Sequence, residues 1–276
     1  MKHRDRLKRL IKGKGRGSHV LKIFQRYFTT LDDKQILDVG CGYGALTAEF
    51  ANHFSKVYAL DHGNKQIKTT IKRMEENLIK NVIVQQGSAL NIPIKDKFEV
   101  IHLSGVFEWL KAGKLAKSAE YCQHKFLKCI KQNMSKQSIL YSGTENKLFP
   151  YFWIEDPHYK KTPLTVLLPA KISDILFRIF KRKRYLPKIY SYWTLKIMFK
   201  KHFSKVDFYI PIPNYQYVYG FAKVENSKEL IRECDRILKE YKLDFKQKLS
   251  VVWIKYCAKI GFIKIFAPGF VTIARK

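Results

Sequence analysis

The chain has 276 residues, with 53 Lys and Arg against 23 Asp and Glu and a formal net charge of +30. Hydrophobic residues make up 46% and aromatics 14%, with 14 Gly and 9 Pro, which excludes collagen-like, low-complexity and wholly disordered chains and leaves ample material for a core. The positive excess attracts polyanions, so nucleic acid, anionic membrane surfaces and phosphate-bearing molecules are the partner classes; an A+T-rich genome would produce the same joint richness in Lys, Ile, Phe and Tyr.

Residues 1–17 read as a mobile basic arm: Lys2, Arg4, Arg6, Lys8, Arg9, Lys12, Lys14 and Arg16 face one acid, Asp5, and the segment ends in Gly13, Gly15 and Gly17. Its charged start lacks the apolar core of a secretory signal, and no run approaches the roughly 18 to 20 apolar residues of a membrane span. A cytoplasmic protein, able to sit peripherally on the inner membrane surface, is expected. Cys41, Cys122, Cys129, Cys234 and Cys257 form an odd set without CxxC spacing, so neither a disulfide framework nor a metal site is expected.

A single domain is expected over 18–276. Ser18 can cap a helix that places Val20, Leu21, Phe24 and Phe28 on one face. A core over 35–142 alternates strands (Ile36 to Val39, Val57 to Leu60, Val82 to Gln86, Val100 to Ser104, Ile139 to Ser142) with helices. The helices run from Ala45 to His53, along the stripe Ile67, Ile71, Met74 and Leu78, and along Leu115, Ala119, Cys122, Phe126 and Ile130. Nearly all-apolar strands separated by helices predict an α/β, doubly wound, Rossmann-like fold with a seven-stranded, mostly parallel sheet. An inserted cap over 143–192 is rich in proline and aromatics. It carries the amphipathic stretch Ile172, Ile175, Leu176 and Ile179, which runs into Arg178, Lys181, Arg182, Lys183 and Arg184. The segment 193–276 restores the pattern with a helix from Thr194, a strand from Val206 to Ile210, a helix opened by Asn226-Ser-Lys-Glu229 and a strand from Phe270 to Ala274.

Chemistry concentrates in Ile36-Leu-Asp-Val-Gly40-Cys-Gly42-Tyr-Gly44-Ala-Leu. A strand that ends in glycines and runs into a helix lets a ligand approach the backbone. Asp61 ends the next strand, where two oxygens can accept both hydroxyls of a ribose. Gly40-x-Gly42-x-x-Ala45 also satisfies the dinucleotide pattern. Asp38, two residues before the first glycine, and the continuation to Gly44 argue against a pyrophosphate and for a ligand that carries an amino group.

These residues resemble the first motif of class I S-adenosylmethionine-dependent methyltransferases, of the type 11/12 group. The resemblance continues through Asp61, through Gln86-Gly-Ser88-Ala89-Leu-Asn-Ile-Pro93, similar to the adenine segment, and through Ile101-His-Leu-Ser104-Gly-Val-Phe-Glu108-Trp109, similar to the stretch lining the methionine end. It implies S-adenosyl-L-methionine as cofactor, bound by Asp38, Gly40, Cys41, Gly42, Gly44, Asp61, His62, Ser88, Ala89 and Ser104. Ser88 stands where the family often has an acid, so the adenine amino group loses its usual acceptor.

The segment from Thr144 to Tyr159 combines His158 with Glu145, Glu155 and Asp156 and five aromatics, a composition suited to a polar acceptor. Together with Ile210-Pro-Ile-Pro213-Asn-Tyr215 and the C-terminal stretch from Ala267, it loosely resembles bacterial methyltransferases of surface-glycan assembly. That resemblance implies a glycan or lipid-linked saccharide acceptor and His158 as the residue that removes its proton. An RNA methyltransferase is the alternative, since Tyr209, Tyr215, Tyr217, Tyr219 and Phe221 could stack on sugars or on bases. A non-catalytic nucleotide-binding or scaffold protein is the third reading. No separate RNA-binding module and no Asn/Asp-Pro-Pro-Tyr tetrad is present.

Overall fold

The computed structural model describes residues 16–110, 118–159, 162–182, 185 and 187–276. In chain order it contains α1 (Arg16–Phe24), β1 (Gln35–Val39), α2 (Ala45–Ala51), β2 (Lys56–Asp61), α3 (Asn64–Glu76), β3 (Val82–Gln86) and β4 (Phe98–Ser104). Next come a 3-10 turn (Phe107–Trp109), α4 (Ala119–Ile130), a second 3-10 turn (Lys131–Asn133), β5 (Met134–Glu145), α5 (Tyr151–Ile154), α6 (Ala170–Lys181) and α7 (Tyr192–Lys200). The chain closes with β6 (Lys205–Asn214), β7 (Tyr217–Lys223), α8 (Ser227–Glu240), α9 (Phe245–Lys259), α10 (Ile263–Phe266) and β8 (Gly269–Arg275).

The basic arm lies outside the described residues up to 15, as does Leu115 of the expected third helix. Gly17 and Ser18 belong to α1, so Ser18 is a residue inside the helix and not its cap. The strands hydrogen-bond in the order β3-β2-β1-β4-β5-β8-β6-β7, which makes eight strands among the described residues where seven were expected. The chain divides into two compact units: one holds the residues to Ser104 with Phe126–Ser142 and Ile273–Lys276, the other Gly105–Lys125 and Gly143–Thr272.

In the first unit β1 pairs in parallel with β2 and β4, and β2 with β3, so the carboxyl ends of all four strands share one edge. Apolar side chains from Ile36 to Val39, Val57 to Leu60 and Val100 to Leu103 are buried, as strands covered on both faces require. The α3 stripe shifts: Ile67, Thr70 and Met74 are buried, Ile71 is exposed, and Leu78 lies beyond the helix end at φ 53°.

Two polar residues interrupt this core. Asp38 and His102 are register partners on β1 and β4, and Asp38 Oδ1 lies 2.8 Å from His102 Nδ1. Thr47 of α2 donates to Asp38 Oδ2 at 2.7 Å. The His102 ring stacks on Tyr141 at 5.0 Å and meets the Phe50 ring at 5.1 Å. A carboxylate so enclosed survives only because its partners replace water.

The second unit contains the antiparallel pair β6–β7, whose register runs from Tyr209↔Lys223 to Asn214↔Tyr217. β7 is the strand missed in the sequence. Of the aromatics expected to stack on sugars or bases, Tyr209 of β6, Tyr215 of the turn and Phe221 of β7 are buried. Asn226 Oδ1 caps α8 by accepting from the Glu229 amide at 3.0 Å, as its sequence signature indicated. α9, also unforeseen, opens with a reciprocal capping box between Asp244 and Gln247. All five cysteines are free.

Thr47→Val should cost about 1–3 kcal/mol of stability, and His102→Ala, which strands the buried carboxylate, about 3–5 kcal/mol. Urea titration of both variants checks the order.

Candidate functional site

The tip of β1 cannot continue as ordinary backbone. Gly40, Gly42 and Gly44 have φ of 74°, 58° and 74°, the left-handed region that glycine enters without steric cost. The turn is fixed from β2: the Gly40 and Cys41 amides donate to Leu60 O at 2.7 and 3.1 Å. Asp61 receives the Gly42 amide on Oδ2 and the Gly63 amide on Oδ1, each at 2.9 Å. Thr70 Oγ1 of α3 donates to Gly42 O at 3.0 Å. A Cβ at Gly44 would fall 2.8 Å from Thr70 Cγ2, whereas one at Gly42 would meet nothing within 4 Å. Gly42 thus presents bare backbone to open space.

The other expected cofactor residues fall into distinct groups. Gly87 N donates to Asp61 O at 2.9 Å, which ties the turn after β3 to the tip of β2. In that turn Ser88 accepts from Leu90 N at 3.2 Å through Oγ and from Asn91 N through its carbonyl, while Ala89 is half-buried. Ser104 is the last residue of β4, on the same edge. The His62 side chain is 82% exposed beside Asp61. Cys41 faces inward against Ala59 and Ile67, and burial, then the Asp38 and Asp61 carboxylates, push its thiol well up. Asp38 is placed by β1 beneath the loop, with both oxygens already holding side-chain partners.

A second constellation lies wholly within the other unit. Glu108, from the turn after β4, is 1% exposed, and Glu145, the last residue of β5, is also buried. Tyr215, at the β6–β7 turn, donates to Glu145 Oε1 at 2.7 Å. That turn is shaped by Asn214 Oδ1, which accepts from the amides of Gln216 and Tyr217. His158 Nε2 lies 3.8 Å from Glu145 Oε2, and the Trp109 ring sits 4.7 Å from the imidazole. Asp156 sets the His158 loop: Oδ1 accepts the amides of His158 and Tyr159, each at 2.8 Å, and Oδ2 accepts the hydroxyls of Thr165 and Tyr185, each at 2.7 Å. Burial, then the neighbouring Glu145, raises Glu108 well above the usual carboxylate range. Burial, then Glu145 and Glu108, raises Tyr215 as well.

Glu155, grouped with these residues in the sequence, is elsewhere: it accepts from Tyr151 Oη at 2.6 Å on the surface. Glu108 and Tyr215 were not picked out as site residues. The signal for Glu108 was a lone acid inside an apolar stretch directly after a strand.

Residues 31–184, more than half of the chain, match the family described as "Methyltransferase domain". The chain belongs to the class I S-adenosylmethionine-dependent methyltransferases. Among curated proteins it is similar to the probable cobalt-precorrin-6B C(15)-methyltransferase (decarboxylating) of Methanococcus vannielii, 40% identical over 57 residues, which are 21% of this chain and 32% of that one. The protein of the same description from Methanocaldococcus jannaschii is 33% identical over 73 residues, 26% of this chain and 40% of the relative. The methyltransferase chain thus spans well under half the length of these two relatives. Its fold is similar to that of a Pyrococcus horikoshii protein, with a TM-score of 0.52 at 14% identity over 69% of this chain and 81% of the other. For the YcgJ protein of Bacillus subtilis the TM-score is 0.50 at 13% identity, over 94% and 99% of the two chains.

The methyltransferase's cofactor is S-adenosylmethionine, and the first unit fits it: bare backbone at Gly42 and a carboxylate at the tip of β2 meet the needs of a nucleoside without phosphate. Gly42→Ala should retain the fold at a strain of about 1–2 kcal/mol, yet weaken S-adenosylmethionine about tenfold or more, a loss of about 1.4 kcal/mol. Gly44→Ala should destabilise further, because Thr70 is in the way. Calorimetry with the cofactor and denaturation of both variants separate the effects.

Proposed function

We propose that the chain methylates a hydroxyl of a glycan or lipid-linked saccharide at an anionic membrane surface, with Asp38, Gly40, Gly42, Gly44 and Asp61 serving the cofactor. Asp61 has lone pairs left for the ribose, and Asp38 acts by anchoring the strand that carries the loop. Cys41, His62, Ser88, Ala89 and Ser104 contribute around the same strand edge. When bound, S-adenosylmethionine supplies a methyl group on a positive sulfur, which a hydroxyl oxygen displaces to give a methyl ether, S-adenosylhomocysteine and a proton.

One observation carries the hydroxyl assignment: Glu108, Glu145 and His158 are gathered in a buried cluster, and Tyr215 is hydrogen-bonded to it. A hydroxyl is a weak nucleophile until its proton leaves, and a buried acid–imidazole cluster is where such a proton can be accommodated. His158, expected to act as base by itself, works here as one member of the cluster. Trp109 and Tyr159 border it with the aromatic faces that sugars favour.

The membrane part of the reading rests on α6. Its Ser173 and Phe177 are buried, with the Phe177 ring 4.4 Å from that of Tyr159, while Ile172, Ile175 and Ile179 are 46%, 57% and 66% exposed. The apolar stripe therefore faces outward, beside exposed Lys171, Lys181 and Arg182. Arg178 is neutralised by Asp174 at 2.8 Å, and Lys183 and Arg184 lie outside the described residues. An apolar stripe flanked by cations suits the interface of an anionic bilayer. Among the described residues no helix is long and apolar enough to cross a membrane.

A second reading, methylation of a cobalt-precorrin-type acceptor, is favoured by the curated relatives. Labelled cofactor incubated with cell extract distinguishes them: label in lipid or glycan is expected, while label confined to RNA or to a cobalt-precorrin-type acceptor refutes the saccharide. On the labelled fraction, Glu145→Gln and His158→Ala should lower transfer about 100-fold or more with cofactor affinity unchanged. Ile172, Ile175 and Ile179 changed together to Ser should abolish flotation with phosphatidylglycerol vesicles without affecting cofactor binding.

A further inference from the structure

Glu108, Glu145 and His158 come from three separate elements, yet each offers a ligand atom within 4.8 Å of the other two. All three side chains are more than nine-tenths buried. No hydrogen bond of ordinary geometry reaches either oxygen of Glu108, Oε2 of Glu145 or Nε2 of His158 among the described residues, although Glu108 lies close enough to Glu145 and Thr144 to interact with both. Three such ligand atoms, one from each residue and all within 4.8 Å of one another, are costly in a dry interior unless something binds among them. A single proton would neutralise only one of the two carboxylates. A doubly charged cation would neutralise both.

We propose that Glu108, Glu145 and His158 form a binding site for a divalent cation of the manganese or zinc type. Two carboxylates and one imidazole are a mixed oxygen and nitrogen donor set; calcium asks for more oxygens, and soft cations ask for sulfur. Donors about 2.0–2.2 Å from a shared cation stand roughly 3–4.4 Å apart, and the 3.8 Å between Glu145 and His158 falls in that window. The surroundings orient the ligands as metal sites require: Tyr215 holds the outer oxygen of Glu145, Gln216 Nε2 donates to Tyr215 Oη at 3.3 Å, and Trp109 flanks the imidazole. Gly105, at φ 69°, keeps space for Tyr215, since a Cβ there would stand 3.2 Å from its hydroxyl. This site departs from the sequence expectation of no metal, because its ligands lie far apart in the chain, outside any short motif.

Three protein donors leave positions open for an acceptor oxygen, whose hydroxyl a bound cation would acidify; with the cation in place the ligand atoms are occupied, so the released proton would pass to water and not to His158 or Glu145. That use of the site rests on the methyl-transfer reading; the site itself does not.

The test is a titration of chelator-treated, full-length protein with Mn2+, followed by calorimetry and electron paramagnetic resonance without cofactor. One Mn2+ per chain is expected, displaced by Zn2+, with affinity lowered about 100-fold in Glu108→Gln and in His158→Ala, as 10- to 100-fold changes are ordinary even for outer-shell losses. Asp61→Asn should bind Mn2+ like the wild type. Unchanged circular dichroism of all three variants, with unchanged S-adenosylmethionine binding in Glu108→Gln and His158→Ala, shows that they fold. No Mn2+ or Zn2+ binding, or binding indifferent to both substitutions, overturns the site; saturation by methylammonium in place of Mn2+ overturns it too and assigns the cluster to an amine. Mn2+ binding at these residues with no methyl transfer to any extract fraction would uphold the site and sink the transfer reading.

Discussion

The first unit depends on how the tip of β2 satisfies the backbone of its neighbour. Three amides in succession, from Gly40, Cys41 and Gly42, need acceptors as β1 turns into α2, and Leu60 O and the Asp61 carboxylate provide them. That demand places an acid at one position and glycines at three, because only residues free to take positive φ can aim the amides there. The parallel register of β1 with β2 brings donors and acceptors level. One side effect is chemical: backbone at Gly42 is left bare beside a carboxylate, the two features that a nucleoside needs.

Much of this was legible because it is local. A strand, three glycines and an acid at the next strand tip lie within about 25 residues of one another, and each is demanded by backbone geometry. What escaped notice depends on distance in the chain. Asp38, expected to face the ligand, is bonded to His102, 64 residues on and its register partner across β1 and β4, and to Thr47 of α2. β5 was ended at Ser142 because Gly143, Thr144 and Glu145 are not an apolar run, yet the strand continues and delivers Glu145 at its last position. Tyr215 was placed among solvent-facing aromatics, and only the β6–β7 turn reveals that it points inward. For α9 the signal Asp244-x-x-Gln247 was present and went unused.

The charge of +30 looks different once placed on the fold. The polar residues assigned to the cofactor include Asp38 and Asp61, and the buried cluster adds Glu108 and Glu145, so both sites are acid-rich within a basic chain. Excess cations therefore belong to the exterior, where those of α6 flank an outward row of isoleucines. An apolar stripe on an amphipathic helix ordinarily faces the core; here the opposite face, with Ser173 and Phe177, fills that role.

The four hydrogen bonds to Asp156 separate the position of the imidazole from the identity of the residues around it. One carboxylate holds the His158 and Tyr159 amides and two hydroxyls from farther along the chain, so Asp156 pins the backbone of the loop, while the Tyr159 ring packs on Phe177 and Tyr185. That anchor runs through the backbone amide of His158, so it does not depend on which side chains line the loop's open side. A lineage built on this chain can drift from one acceptor to another through the lining of the loop, without first rebuilding the apparatus that handles the proton.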